Sequence, residues 1–346
     1  MDESSGFFRT DLWDRLYRYF STTDREAILR RLGIDFRRIW VEPTTAFKES
    51  AQWVGVPMDG YFKILPNGTY EDEWGIRYEL TSDRLHWRYI YHPLATAESP
   101  NEIELPSLDA PGRFDAAVKT VKAMREEYVI EAFPFVTLYE TGWALRGFNR
   151  FNLDLIQNSA FIEKLLDKLL KLILEMVARF VEAGADVIQL GDDFGMQTSM
   201  LVSPTLWRRF FKPRMKIVVD GIKKRSHNSA YVFYHSCGYI EPIIPELIEV
   251  GVEILNPIQP EAMNPAKIKD QYGDKVALHG TISIQKTLPF GTPEDVRNEV
   301  LERIETCGQG GGLVIAPAHT PQPEVTARNL VALYETAQNL ASSSNP

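Results

Sequence analysis

From about residue 130 onward the chain alternates short β-branched apolar runs with longer amphipathic stretches, and no other feature constrains its fold as much. The runs are "FPFVTLY", "ADVIQLG", "AYVFYH", "VEILNPI", "KVALHG" and "GLVIAP". Each is apolar with little period-two alternation, as parallel strands covered on both faces require. Between them, "NSAFIEKLLDKLLKLILEMVARFVEAG" repeats apolar residues at helical spacing and stops at Gly184. "SPTLWRRFFKPRMKIVVDGI" opens with Ser203 as N-cap and Pro204 at the first helical position. "TPEDVRNEVLERI" repeats the device with Thr292 and Pro293, and Asp295 completes a capping box. Repeated strand–helix units dictate a parallel sheet. About six of them predict an α/β fold closed as a (β/α)8 TIM barrel. A doubly wound open sheet is the alternative, but no glycine-rich phosphate loop follows any of these strands.

The beginning of the chain reads differently. "DLWDRLYRYF" and "DREAILRRLG" predict two short helices, and "NGTYEDEWGIRYELTSDRLHWRYIYHPL" predicts a β-meander with a turn at Asn67-Gly68. Residues 1–110 are therefore expected to form an elaboration over the barrel mouth, and residues 130–343 the main barrel repeats. No Pro/Gly/Ser-rich linker divides them, so residues 1–346 are expected to form a single barrel domain.

A net charge of −9 speaks against nucleic acid or an anionic membrane surface as partner. No apolar run is long enough to span a bilayer. Two cysteines, Cys237 and Cys307, make no disulfide framework, and the start "MDESSGFFRT" lacks an apolar signal core. A cytoplasmic protein is expected.

Barrel chemistry sits at the carboxyl ends of the strands. There the sequence places Tyr139 and Glu140, then Asp192 and Asp193, His235 and Cys237, Asn256 and Gln259, His279, and finally His319. In an extended segment His235 and Cys237 project to the same side, as two ligands of one metal would. The same pair also suits a buried cysteine beside a hydrogen-bonded histidine. His319 is the third candidate ligand and His279 the reserve, while Cys307 reads as a small buried residue at a helix end. Asp192 and Asp193 are the catalytic candidates; as neighbours they point oppositely, and either suits an acid/base group, a fourth ligand or a helix cap. Tyr139, Glu140, Trp143, Gln197, Gln259 and His279 are the substrate-binding candidates, with Trp143 equally suited to packing.

These segments resemble a known family. "YHSCGYIEPIIPELIEVGVEILNPIQP", "LHGTISIQKTLPFGTPEDVR" and "GGGLVIAPAHTPQPEVTARNLVALYE" are similar to the uroporphyrinogen decarboxylase superfamily, as is "IQLGDDFGMQTSMLVSPTLWRRFFKPRM". "DGYFKILPNGTYEDEWGIRY" resembles its decarboxylase-like branch that includes corrinoid-dependent methyltransferases. The resemblance implies a (β/α)8 barrel. Decarboxylases of the family use no metal and carry an N-terminal arginine-rich segment, which this sequence lacks; their pocket tyrosine falls at Trp143. The methyltransferase branch holds zinc by His-x-Cys and a later Cys. His235-Ser236-Cys237 matches the first part, and His319 stands at the later position.

On that resemblance the chain is expected to be a zinc methyltransferase. Zinc bound by one thiolate and two imidazoles is more Lewis-acidic than zinc bound by two thiolates, which favours activating a leaving heteroatom. The expected reaction demethylates a methoxylated or methylamine-like molecule. The methyl group passes to cobalt as methyl-cobalamin on a partner corrinoid protein, and Asp192 or Asp193 protonates the leaving group. The expected partners are thus a small-molecule methyl donor and a corrinoid protein, with a homodimer as the self-association considered. The alternatives are a metal-free decarboxylase of a uroporphyrinogen-like substrate and a non-catalytic barrel.

Overall fold

A computed structural model describes residues 10–55, 60–82 and 86–343. The chain forms two compact units, one of residues 37–192 and 205–230, the other of residues 1–36, 193–204 and 231–346. Seven parallel strands carry the α/β barrel-type architecture: β1 (Phe36–Trp40), β2 (Val129–Phe133), β3 (Val187–Gly191), β4 (Tyr231–His235), β5 (Ile254–Asn256), β6 (Ala277–His279) and β7 (Leu313–Val314).

In the first unit β2 pairs with β3 in parallel, Glu131 opposite Val187. The helix Ser159–Ala183 follows the periodic stretch seen in the sequence and buries Phe161, Ile162, Leu165, Leu166, Leu169 and Ile173. It ends where Gly184 turns left-handed at φ 99° and donates to the carbonyls of Phe180 and Val181. The predicted meander is a five-stranded antiparallel sheet, Gln52–Val54, Gly60–Ile64, Tyr70–Glu71, Arg77–Leu80 and Trp87–Tyr91. Phe62, Tyr78, Trp87 and Tyr89 pack ring on ring along one side of it.

The strand expected over "FPFVTLY" lies earlier. β2 ends at Phe133, immediately before Pro134, which has no N–H for the ladder, and Tyr139–Arg146 is helical. The stretch after Ser203 is also not one helix: it divides into Pro204–Phe210 and Lys212–Arg225, with Pro213 in the first turn of the second.

In the second unit β4, β5, β6 and β7 pair in sequence, with Asn256 opposite His235 and His279 opposite Val314. The two N-terminal helices, Thr10–Phe20 and Arg25–Arg31, lie in the same core as the last helix, Ala327–Ser343. Leu12, Trp13, Leu16 and Ile28 are buried there with Val331, Leu333 and Tyr334. Thr292 and Asp295 form the capping box read from the sequence, and the helix they open ends at the fully buried Cys307.

A candidate metal centre

The second unit gathers Asp193, His235 and Cys237 into one cluster. One ligand atom from each lies within 4.8 Å of the other two, the only such group among the described residues. His235 ends β4, and Cys237 follows after a single buried serine. His235 Nε2 is 3.2 Å from Asp193 Oδ1 and 3.5 Å from Cys237 Sγ. The same Oδ1 accepts the Cys237 N–H at 2.7 Å.

The loops are held tightly enough to make this geometry specific. Ser236 Oγ accepts the Phe194 N–H at 3.0 Å, and the Tyr239 N–H reaches Met196 O at 2.7 Å. Gln259 Oε1 accepts from Gly238 N at 2.5 Å. Gly238, at φ +78°, and Gly195 press backbone to backbone; a side chain on Gly238 would meet the Gly195 carbonyl carbon at 2.5 Å. Only glycine fits there.

Behind the cluster, His235 Nδ1 lies 2.6 Å from Asn256 Oδ1, and Asn256 Nδ2 lies 2.6 Å from His279 Nδ1. Burial works against a charged His235 ring, yet Cys237 and Asp193 outweigh it and raise its pKa well above the ordinary value. Burial alone would raise Asp193, but the His235 hydrogen bond and charge, with the Cys237 N–H, hold it below the usual carboxylate range. His319 feels the same group: burial and the His235 charge lower its pKa, and Asp193 pulls the other way.

The donor set fits a zinc-type ion. A carboxylate, an imidazole and a thiol are the zinc ligand classes. Tetrahedral ligands at zinc bond lengths stand about 3.3–3.8 Å apart, close to the spacings found here. His319 lies outside the 4.8 Å group, with its Nδ1 turned to Thr320 O at 3.3 Å.

The uroporphyrinogen decarboxylase family model matches residues 75–340. The chain belongs to the uroporphyrinogen decarboxylase family. Relatives in this family differ in activity. A uroporphyrinogen decarboxylase of Coxiella burnetii is 25% identical over 264 residues, 73% of this chain and 70% of the relative. The methylcobamide:CoM methyltransferase MtaA of Methanosarcina barkeri is 28% identical over 228 residues, 64% of this chain and 62% of the relative. A solved structure, a methyltransferase from Methanosarcina mazei, superposes with TM-score 0.69 at 19% identity, covering 98% of this chain and 94% of that one, which establishes the barrel fold.

Against this family background the remaining candidates have definite places. Asp192 and Asp193 have different hydrogen-bond partners. Asp192 is buried, and its carboxylate accepts the N–H groups of Leu138, Tyr139 and Glu140 at 3.3, 2.7 and 2.9 Å. It caps the helix that carries Glu140 and Trp143, and burial pushes its pKa up to about 7. Tyr139 is fully buried between Phe151 and Phe211 and donates its hydroxyl to Asn152 Oδ1. Trp143 packs edge-on against Tyr89 and Phe148. Gln197 is exposed and donates to Glu261 O, while Gln259 is buried and holds the Gly238 turn. His279 is fully buried behind Asn256. Asn256, which the sequence places at a strand end without a role, is the last residue of β5 and the register partner of His235. Among the described residues no helix is long and apolar enough to cross a membrane.

Proposed function

We propose that this family member is a zinc-dependent methyltransferase that demethylates a methoxylated or methylamine-like small molecule and passes the methyl group to a corrinoid protein. The observation that carries the reading is the convergence of Asp193, His235 and Cys237. The relationship to a methylcobamide:CoM methyltransferase supports the corrinoid partner. His235 and Cys237 would hold the ion with His319 as third ligand, leaving the fourth position, beside the Asp193 carboxylate, open to the substrate. When bound, zinc supplies Lewis acidity toward the heteroatom that loses the methyl group. Asp193 is the carboxylate set beside that open position, placed to relay a proton from water to the leaving heteroatom. Asp192 acts one step back, fixing the start of the helix that presents Glu140 and Trp143. A thiolate ligand at Cys237 fits a reducing, cytoplasmic setting.

Metal-free decarboxylation, the activity named for other relatives, has less support. Gripping several acetate carboxylates needs uncommitted arginines. The paired Arg37 and Arg38 are both buried, one over the Tyr128 ring and the other ion-paired to Glu131 at 2.8 Å. The deciding experiment is metal analysis of protein purified from zinc-replete medium, followed by methyl transfer to free cob(I)alamin from a panel of methoxylated and methylated-amine donors. One equivalent of zinc and zinc-dependent methylation are expected. Well under one equivalent, or conversion of uroporphyrinogen to coproporphyrinogen, overturns the proposal.

A further inference from the structure

We propose that Asn256 is a positioning residue that keeps the ring proton of His235 on Nδ1 and so aims the Nε2 lone pair at the metal position, with His279 locking Asn256 in that orientation. The inference rests on the metal-binding reading of the cluster and concerns the residues behind it.

A carboxamide offers one acceptor oxygen and one donor nitrogen, so its orientation dictates which neighbour gives a hydrogen and which receives one. Asn256 is completely buried, as is His279. Its Nδ2 faces His279 Nδ1 at 2.6 Å, and its Oδ1 faces His235 Nδ1 at 2.6 Å. His279 Nδ1 therefore accepts, His235 Nδ1 donates, and His235 Nε2 is left as the basic nitrogen. That nitrogen is the one 3.2 Å from Asp193 and 3.5 Å from Cys237. Without an ion a proton on Nε2 meets the Asp193 carboxylate; with an ion bound, the Nε2 lone pair is the donor that meets it.

The chain is rigid at each link. The His279 ring is flanked edge-on by Phe36 and Phe233, at 6.2 and 5.0 Å between centroids. Asn256 and His235 are register partners on adjacent strands, and Asn256 O also accepts the Ser236 N–H at 2.7 Å. With Asp193 and Cys237 ionised, the cluster carries two negative charges, matching a divalent ion.

The test has a readout on the unaltered protein. Nitrogen-15 histidine NMR of the zinc-loaded chain is expected to show His235 protonated on Nδ1 and His279 protonated on Nε2; a hydrogen on His279 Nδ1 overturns the proposal. Zinc affinity by chelator competition supplies the second readout. Asn256→Ala should lower it roughly 10–100-fold, as loss of an outer partner of a metal-bound histidine does. Asn256→Asp, which keeps an acceptor for His235 Nδ1, should recover most of it. A purely packing role predicts the reverse order, because a buried unpaired charge is worse than a small cavity. Unchanged affinity in Asn256→Ala, or Asn256→Asp binding more weakly than Asn256→Ala, therefore overturns the proposal. If Asn256→Ala does not fold, His279→Phe removes the lock instead, and wild-type affinity in that variant overturns it. Wild-type protein that takes up no zinc defeats the functional reading separately, and the NMR of His279 still decides the amide orientation.

Discussion

At the scale of single residues, the same three side chains that suit a metal also share a proton. The pKa of His235 stands well above the ordinary histidine value because Cys237 and Asp193 outweigh its burial. Zinc must therefore compete with a proton that the ion-free ring holds more tightly than an ordinary histidine does. Affinity should rise with pH until the raised pKa is passed and fall as the solution is acidified. Calorimetric titrations at about pH 6, 7 and 8 in buffers of different ionisation enthalpy should show proton release on binding. Release near zero across that range contradicts the arrangement. Replacing Cys237 removes the one thiol of the cluster. Cys237→Ser should lower zinc affinity by at least roughly 100-fold, more than loss of an outer partner costs. The far-ultraviolet spectrum should not change, because the residue is only half-buried at a strand end.

At the scale of elements, the helix Tyr139–Arg146 depends on a residue far away in sequence. Its first two N–H groups are satisfied by Asp192, and the third, that of Thr141, by Thr137 Oγ1 at 3.2 Å. Asp192→Ala leaves buried donors unpaired and should cost about 2–3 kcal/mol, read as a lower midpoint in urea unfolding. The pH dependence follows from the raised pKa of about 7 against an ordinary 3.8. Between those values the folded state holds a proton that the unfolded chain has lost, so stability falls as pH rises. The contribution is complete below the unfolded pKa and is lost through pH 7. Asp192→Asn does not titrate, so its stability should depend less steeply on pH across that window. An equal slope in wild type and variant refutes the assignment.

At the scale of the whole molecule, a metal at the proposed site would not be what holds the chain together. Each unit has its own apolar interior, and the second packs Leu12, Trp13 and Leu16 with Val300, Leu330 and Tyr334 without involving the cluster. Stripping zinc with a chelator should therefore leave a folded protein. The melting temperature should drop by no more than binding linkage allows, about 4 kcal/mol for an ion at a thousandfold excess over its dissociation constant. Cooperative melting in the stripped sample, followed by circular dichroism, checks this; collapse to an unfolded chain would assign the ion a structural role instead.

Periodicity alone determined much of this protein. Unalternating apolar runs between amphipathic stretches favour parallel strands covered by helices, and six such runs pointed to the barrel over the doubly wound sheet. Local chemistry was equally legible where a motif closes on itself: Gly184 as a helix stop, and Thr292 with Asp295 as a capping box. The pair His235 and Cys237 could be read because two residues apart on an extended chain share a side. Tertiary structure decided what depends on partners distant in sequence. It moved the strand before Pro134 and turned Tyr139 into a helix start, because the cap arrives from Asp192. It assigned Asp193 to the cluster and its neighbour to the helix, and it set Asn256 between two histidines from adjacent strands. A hydrogen bond or a ligand set is a distance in space, and one sequence carries no such distance between segments until the sheet brings their ends together.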